Sequence, residues 1–279
     1  MQETHTLEKK DWAAKLLAIA VVVFMVSSTV VLFAPEASAR TGTGSYGYTF
    51  KDNLESGGPD YSTDWIDTVV ADGTNILSYS SDAAQGTFNL PFDFEYYENT
   101  YSTWGNGGDN GYITFGGVIS NAWTPYNIPA TQIGSAAVAG GWFDGGFCRA
   151  SNPDAGVYHQ TIGTSPNQIF VVHYEDQGAW YPSVYTCPGV QAADALTWQI
   201  QIHESTMEVK TLYKDVQGGY SSDNEWMTVG IQGSPGGSLM GLEYSYRQSP
   251  DVPQYTAVTF TGPAPPVNDL RLTQSTIPD

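Results

Sequence analysis

The stretch from Leu90 to Gly116 constrains the fold of this chain more than any other. Between Phe92 and Tyr96, aromatic and acidic residues alternate with the period of two that is typical of a strand with one packed and one solvent-facing side. The dipeptide Asn110-Gly111 tolerates positive φ and so favours a chain reversal. Alternation resumes over residues 112–116. The stretch predicts neighbouring strands of a β-sandwich rather than an enzyme core.

Strand-like segments recur along the chain and are separated by Gly, Pro and Asn. They cover residues 136–143, 156–160, 168–174, 196–203, 207–213, 226–232, 241–246 and 257–260. This spacing is typical of a sandwich or barrel. The expected fold is all-β, an antiparallel β-sandwich of jelly-roll-like order over residues 40–262, preceded by one N-terminal hydrophobic helix. Residues 198–203 and 207–213 are predicted to form a hairpin with Gln199, Gln201 and His203 facing water.

The N-terminal segment predicts export. Three lysines precede an apolar run over residues 16–34, and Ala37-Ser38-Ala39 matches a signal-peptidase site before Arg40. About 19 apolar residues also suffice to cross a bilayer of roughly 30 Å, so residues 1–39 are either a signal peptide or a retained membrane anchor. In both cases the remaining chain is expected at the cell surface or outside the cell, with membrane contact only through residues 16–34 if they are retained.

The charge limits the classes of partner that the chain can bind, and the cysteine content indicates its redox compartment. The part from Arg40 holds 7 basic and 25 acidic residues, a formal charge of −18, with the basic residues scattered singly. Nucleic acid is therefore not an expected partner. Cys148 and Cys187 lie in Gly- and Pro-rich sequence of the exported part and are predicted to form a disulfide. Two unpaired thiols or metal ligands are the alternative.

Catalytic signatures are absent from the sequence. It contains no nucleophile elbow, zinc-binding helix pattern, phosphate loop or dinucleotide fingerprint. No catalytic residue is predicted, and the chain is not expected to be an enzyme.

Calcium is the inorganic partner that the loops suit best, because Asp and Asn side chains supply the oxygen ligands of a hard cation. The candidate ligands are Asp109 with Asn110, and Asp144; Asp52 with Asp60 is a further candidate pair. The alternative is that these are solvated turn residues.

Two aromatic clusters suggest a contact surface. One contains Tyr101 and Trp104, and the other contains Trp180, Tyr181 and Tyr185 just before Cys187. Exposed, such rings stack on sugars or contact proteins. Buried, they are core, and this alternative applies to Tyr96 and Trp104. The 177–187 loop is the favoured recognition site, because a disulfide would hold its aromatic residues away from the scaffold.

Several short motifs together resemble a known family. They are Trp65-Ile66, Asp72-Gly73-Thr74, Leu90-Pro-Phe-Asp-Phe, Asn110-Gly-Tyr-Ile-Thr-Phe-Gly, Trp142-Phe-Asp144, Phe170-Val-Val-His-Tyr174 and Val229-Gly-Ile-Gln232. Their order resembles the nidogen-type extracellular β-sandwich module of secreted and surface proteins of bacteria and archaea, over roughly residues 61–260. Gly145 stands where the family loop has a second aspartate. The resemblance implies that residues 263–279, a Pro-rich linker and a new strand-like pattern, begin a truncated immunoglobulin-like module.

The expected function is that of a non-catalytic surface module for adhesion, assembly or matrix contact, with surface proteins or glycans as partners. The alternative is a carbohydrate-binding module of a secreted degradative enzyme. Exposed aromatic rings across one face would favour sugar binding, whereas an open edge strand would favour protein assembly.

Overall fold

The structure is a computed structural model that describes residues 38–78, 85–117, 122–134, 136–147, 149, 152–179, 195–216, 227–247 and 251–263. Its strands are β1 (Thr41–Thr43), β2 (Thr49–Asp52), β3 (Thr74–Leu77), β4 (Gln85–Tyr96), β5 (Asn99–Asn106), β6 (Tyr112–Phe115), β7 (Ala137–Trp142), β8 (Gly145–Phe147), β9 (Gly156–Ile162), β10 (Ile169–Ala179), β11 (Leu196–His203), β12 (Val209–Asp215), β13 (Thr228–Gly233), β14 (Met240–Tyr246) and β15 (Thr256–Thr261). Two one-turn helices, α1 (Tyr61–Asp64) and α2 (Val69–Asp72), precede β3. Single 3-10 turns lie at Thr131–Ile133 and Pro235–Gly237.

The described strands form two antiparallel sheets. Sheet A has the order β1-β2-β15-β12-β11-β10-β9-β3, with β8 pairing onto β10, and sheet B has the order β14-β13-β7-β6-β5-β4. The predicted antiparallel β-sandwich is therefore confirmed. The jelly-roll-like order is wrong, because β4 to β7 form one meander within sheet B and β9 to β12 form another within sheet A, whereas a jelly roll is built from Greek keys.

The core lies between the sheets and is rich in aromatic residues. Trp104 of sheet B contacts Phe170 of sheet A edge to face at 5.2 Å, and Tyr174 stacks on Trp198 at 4.0 Å. These rings belong to one continuous cluster of buried side chains. A smaller cluster on the outer face of sheet B packs residues 122–133 over Tyr112 and Trp142.

Strand β4 follows the predicted alternation. Phe94 and Tyr96 are buried, whereas Asp93 and Glu95 are exposed. The pairing with β5 is interrupted between Asn89 and Phe94, where residues 90–93 bulge out of register. Pro91, which has no N–H to donate, lies in this bulge at the edge of sheet B. The edge is thereby protected from pairing with another chain.

The predicted helix over residues 16–34 and the predicted module start over residues 264–279 lie outside the described residues. Within the described part of the chain, no helix has the length and apolar character needed to cross a membrane.

Candidate functional site

Residues 60–72 form a separate layer on the outer face of sheet A. The Asp60 carboxylate caps α1 by accepting hydrogen bonds from the backbone N–H of Ser62 at 3.0 Å and from its hydroxyl at 2.7 Å. Trp65 is the C-cap residue that follows the helix, and its N–H donates to the Tyr61 carbonyl at 3.1 Å. Because Tyr61 and Trp65 are four residues apart, their rings lie on the same side, 5.6 Å between centroids.

Two buried glutamines of β11 hold this layer to the sheet. The Gln199 side-chain amide donates to the Ile66 carbonyl at 2.7 Å, and the Gln201 amide donates to the Asp64 carbonyl at 2.8 Å. Both glutamines are 0% exposed. The expectation that they face water is wrong, because the 60–72 layer covers the outer face of β11. His203, at the end of the strand, is half-buried.

Three aromatic rings form a strip across this layer, which we call the aromatic strip: Tyr255, Tyr61 and Trp65. The Tyr255 and Tyr61 rings meet edge to face with centroids 5.4 Å apart. Tyr255 is 54% exposed, and the other two rings are half-buried. Burial, followed by the proximity of Tyr255 and Asp67, raises the pKa of Tyr61, so its hydroxyl is a neutral hydrogen-bonding group at physiological pH.

Polar groups surround the Trp65 ring. Its indole N–H donates to the Asp67 carboxylate at 2.7 Å, and the Lys214 ammonium lies 5.6 Å from the ring centroid. On its inner side the ring meets His173 edge to face at 5.7 Å. The His173 Nε2 lies 2.7 Å from the Glu175 carboxylate, and its Nδ1 lies 3.1 Å from the Gln199 amide nitrogen. Since the amide can only donate, Nδ1 accepts and Nε2 carries the proton.

This arrangement has the chemistry of a binding surface. It offers apolar ring faces beside carboxylates, an ammonium and a phenol hydroxyl, the combination used by surfaces that contact sugars or proteins. The imidazole of His173 is 3% exposed and already engaged by Gln199 and Glu175. No group of three or more His, Cys, Asp or Glu residues within the described ranges is placed to share a metal ion.

The structure corrects the predicted role of Trp104. Its side chain is 0% exposed and packs against Phe88 at 5.0 Å and Phe170 at 5.2 Å, so it is core and cannot stack on a ligand. Tyr101, on the same strand, is half-buried with its ring 5.6 Å from Phe115. Tyr101 therefore lies apart from the aromatic strip, on sheet B.

The predicted calcium ligands lie in two turns that the structure brings together. Asn110 is fully buried, its side-chain oxygen accepting from the Gly145 N–H at 3.4 Å and its amide donating to the Gly107 carbonyl at 3.4 Å. Asp109 is 1% exposed, and its carbonyl accepts from the Gln177 amide at 2.6 Å. Asp144 is half-buried next to this contact. The Asn110 amide thus joins the two turns, and calcium at this position stays a prediction.

The second predicted recognition site falls outside the described residues. Trp180, Tyr181, Tyr185 and both cysteines, Cys148 and Cys187, are in undescribed parts of the chain. Their roles in ligand binding and in a disulfide remain predictions.

A cleft of about 700 Å³ opens at one end of the sandwich, between the β4–β5 hairpin and the β11–β12 turn. Its wall includes Tyr48 and Tyr97, stacked at 4.2 Å, but both rings are almost fully buried. A hydrogen bond to the Glu98 carboxylate is the main cause that raises the pKa of Tyr46 to about 12. The cleft is acidic at its rim and presents little open aromatic surface, so the aromatic strip is the better candidate site.

Sequence reasoning missed the aromatic strip. The local signal was an N-cap sequence, Asp60-Tyr-Ser, followed by aromatic residues at positions 61 and 65. A four-residue helix is too short for its periodicity to stand out. Nothing in the sequence indicated that Tyr255, almost 200 residues away, would complete the strip.

The fold defines a β-rich module of two antiparallel sheets. A family model described as NIDO related matches residues 61–269, about three quarters of the chain. The chain belongs to the NIDO-related family, which confirms the nidogen-type resemblance found in its motifs. Comparison with curated proteins and with solved structures gave no significant match.

Proposed function

We propose that this chain is a non-catalytic contact module that acts outside the cell in adhesion, assembly or matrix contact, and that the aromatic strip is its contact surface. Its membership of the NIDO-related family supports the extracellular setting. The observation that carries the proposal is the row of Tyr255, Tyr61 and Trp65 on the outer face of sheet A, with ring centroids 5.4 and 5.6 Å apart.

The way the strip is held supports a binding role. The backbone under Tyr61 and Trp65 is fixed by Gln199 and Gln201, so the rings lose little freedom when a partner docks. A preordered contact surface binds more tightly because less entropy is lost on association. Tyr and Trp are also the residues that most often dominate the binding energy of protein contacts.

Contact through the β4 edge of sheet B is less well supported. Edge strand β4 is interrupted by the bulge at residues 90–93 and carries exposed Pro91, Asp93 and Glu95. Proline and charges at an edge oppose the addition of a strand from another chain. The favoured contact is therefore made by side chains on a sheet face.

Carbohydrate binding is a second candidate function, with the chain as a binding module of a secreted degradative enzyme. It is supported by the two half-buried rings of Tyr61 and Trp65, which lie 31° from parallel, because sugar rings stack on aromatic faces. Asp67, Glu175 and Lys214 lie within the same neighbourhood as hydrogen-bonding partners for hydroxyl groups.

The test is binding of the purified chain to a panel of polysaccharides and glycans and, in parallel, to a panel of extracellular matrix proteins. If a ligand is found, Trp65→Ala is expected to weaken its affinity at least about 10-fold, since aromatic hot-spot residues typically contribute this much binding free energy. Trp123→Ala is the matched control, because Trp123 is 50% exposed and lies in the segment next to sheet B. The unfolding midpoint of each variant shows whether the fold is intact.

The outcome separates the candidates. Saturable binding to a matrix protein, lost in Trp65→Ala and retained in Trp123→Ala, supports the contact module. The same pattern with a polysaccharide supports the carbohydrate-binding module. Binding that Trp65→Ala leaves unchanged contradicts the role of the aromatic strip and directs attention to Trp180.

A further inference from the structure

Arg40 is held to the sandwich by contacts with several separate segments. Its guanidinium lies 3.6 Å over the Tyr244 ring and donates to the carbonyls of Tyr244 at 3.3 Å and Asp251 at 3.1 Å. Its own carbonyl accepts from the Asp52 N–H at 3.1 Å. Ser38 and Ala39 are exposed, and the compact unit of the fold starts at Ala39. Arg40 is therefore anchored to β2, to β14 and to Asp251, directly after the exposed Ser38 and Ala39.

The partner of the Arg40 nitrogen is a buried carboxylate. Asp52 is 1% exposed, and its Oδ2 accepts from the Arg40 backbone N–H at 3.0 Å and from the Tyr244 hydroxyl at 3.2 Å. Its Oδ1 accepts from the Leu54 N–H at 3.1 Å, and the Arg40 Nε lies 3.7 Å from Oδ2. A buried carboxylate is costly unless positive charge lies close to it, so a second cation at the Arg40 nitrogen would be stabilised there.

We propose that a signal peptidase hydrolyses the Ala39–Arg40 peptide bond and that the new α-ammonium of Arg40 forms an ion pair with Asp52, which fixes the mature N-terminus to the sandwich. Two independent observations support cleavage at this bond. The Ala37-Ser38-Ala39 sequence matches the peptidase pattern, and the nitrogen that cleavage would release already lies 3.0 Å from a buried carboxylate.

The chemistry is a simple hydrolysis. The C–N bond between Ala39 and Arg40 breaks, water supplies the hydroxyl group to the Ala39 carbonyl carbon, and the Arg40 nitrogen takes the remaining hydrogen. At neutral pH the new acid loses a proton and the new amine gains one, leaving a carboxylate on the released segment and an ammonium on Arg40. A neutral N–H donor thus becomes a charged one, and charge-assisted hydrogen bonds are roughly twice as strong as neutral ones.

The ion pair has a defined pH dependence. The Arg40 nitrogen faces the Asp52 carboxylate on β2. The same carboxylate accepts from the Tyr244 hydroxyl on β14 and lies near the guanidinium of Arg40, which in turn donates to the Asp251 carbonyl. The ordinary pKa of an α-amino group is about 7.7. Asp52 favours the ammonium, so the stabilisation is complete below about pH 7.7 and is lost as the pH rises through the higher value in the folded chain.

The first experiment identifies the N-terminus. The full chain is expressed in a bacterial host that exports it, and the product is examined by N-terminal sequencing and intact mass. A chain that begins at Arg40 supports the proposal. A chain that retains Met1, or that begins at any other residue, overturns it.

The second experiment tests the ion pair with a matched extension. Insertion of one alanine between Ala39 and Arg40 in the full chain keeps the cleavage pattern and leaves the product with one extra residue before Arg40, as N-terminal sequencing verifies. The product that begins at Arg40 is expected to melt about 2–4 °C higher at pH 6, with the difference lost at pH 10. Equal melting temperatures at pH 6 overturn the proposal.

Asp52→Asn provides the control for the partner. In this background the two products are expected to melt at the same temperature at both pH values, because the amide carries no charge. A difference that persists in Asp52→Asn would show that the extra residue acts through something other than the ion pair. If Asp52→Asn does not fold, the comparison of the two products at pH 6 and pH 10 decides alone, since neither alters the core.

Discussion

At the scale of single residues, the glutamines of β11 decide where the candidate site lies. Their backbones belong to a central strand of sheet A, but their side-chain amides act as anchors for a different segment. Gln199 reaches the Ile66 carbonyl, its oxygen lies 3.4 Å from the Ile66 N–H, and its amide also bonds His173. One side chain thus fixes both the layer that carries Trp65 and the imidazole beneath that ring.

Gln199→Leu tests this anchor. Leucine has a similar volume but offers no hydrogen bonds, so the buried polar atoms of Ile66 and His173 lose their partner. The expected loss is about 1–3 kcal/mol of unfolding free energy, measured by urea denaturation, together with weaker ligand binding at the aromatic strip. Gln132→Leu, at an exposed position, is the control and is expected to change stability by less than about 0.5 kcal/mol. Equal stability of the two variants would contradict the anchoring role.

His203 gives the fold a predictable response to acid. Burial, followed by the Lys210 charge, lowers the pKa of His203 to about 4, against an ordinary value of about 6.5, although Glu208 and Asp64 oppose the shift. The folded chain therefore favours the neutral ring. Its contribution is complete above about pH 6.5 and is lost as the pH falls towards 4.

The prediction is that His203→Gln flattens this part of the acid response. Melting temperatures between pH 7 and pH 4 should fall less steeply in the variant than in the natural chain, because the carboxylates common to both contribute equally to each curve. Parallel curves over this range would show that protonation of His203 does not limit stability.

At the scale of elements, the turn before β6 is the point where local sequence and packing agree most closely. Gly111 has φ +74, and its carbonyl accepts from the Gly141 N–H at 3.0 Å. A Cβ at this position would lie 1.9 Å from the Gly141 carbonyl oxygen. The Asn110-Gly111 turn is therefore fixed both by its conformation and by the close approach of the β7 backbone.

Gly111→Ala is expected to reduce the free energy of unfolding by about 2–5 kcal/mol, from the left-handed conformation and the backbone clash together. Gly57→Ala is the matched control, because Gly57 has φ +70 and nothing within 4 Å of the added methyl. It should cost only about 1–2 kcal/mol. Chemical denaturation of both variants makes the comparison, and equal losses would contradict the clash.

The strands were more predictable from the sequence than the segments that pack against them. Alternation found β4, β6, β11 and β12, because a strand with one apolar face leaves a period-two pattern in the sequence. Alternation gave the wrong environment for the outer face of β11. Gln199 and Gln201 have the pattern of solvent-facing residues, but the 60–72 layer covers them. Likewise Trp104 and Trp65 are equally aromatic in sequence, and only the packing of the two sheets makes one core and the other part of a surface strip.

At the scale of the whole molecule, charge is the dominant property. The 25 acidic residues after Ala39 repel one another in the folded state, and this repulsion is screened within about 30 Å at 0.01 M salt but within about 10 Å at 0.1 M. The melting temperature is therefore expected to rise when NaCl is increased from 0.01 to 0.5 M. A constant or falling melting temperature would contradict this prediction.

Calcium chloride at matched ionic strength separates screening from specific binding. Screening alone gives the same melting temperature as sodium chloride. Additional stabilisation that is lost in Asp144→Asn would support the calcium ligands predicted at Asp109, Asn110 and Asp144. Additional stabilisation that persists in this variant would direct the search for a cation site to other loops.

The attachment of the 60–72 layer has a consequence for how such a module can diversify. The glutamines donate hydrogen bonds to the backbone carbonyl oxygens of Asp64 and Ile66, not to particular side chains. Every amino acid has such a carbonyl group. Residues 61 and 65 can therefore be substituted while these hydrogen bonds are kept. Substitutions in this short segment give related chains a route to new binding specificities. For the same reason, a different binding sequence can be grafted there without changes to the core.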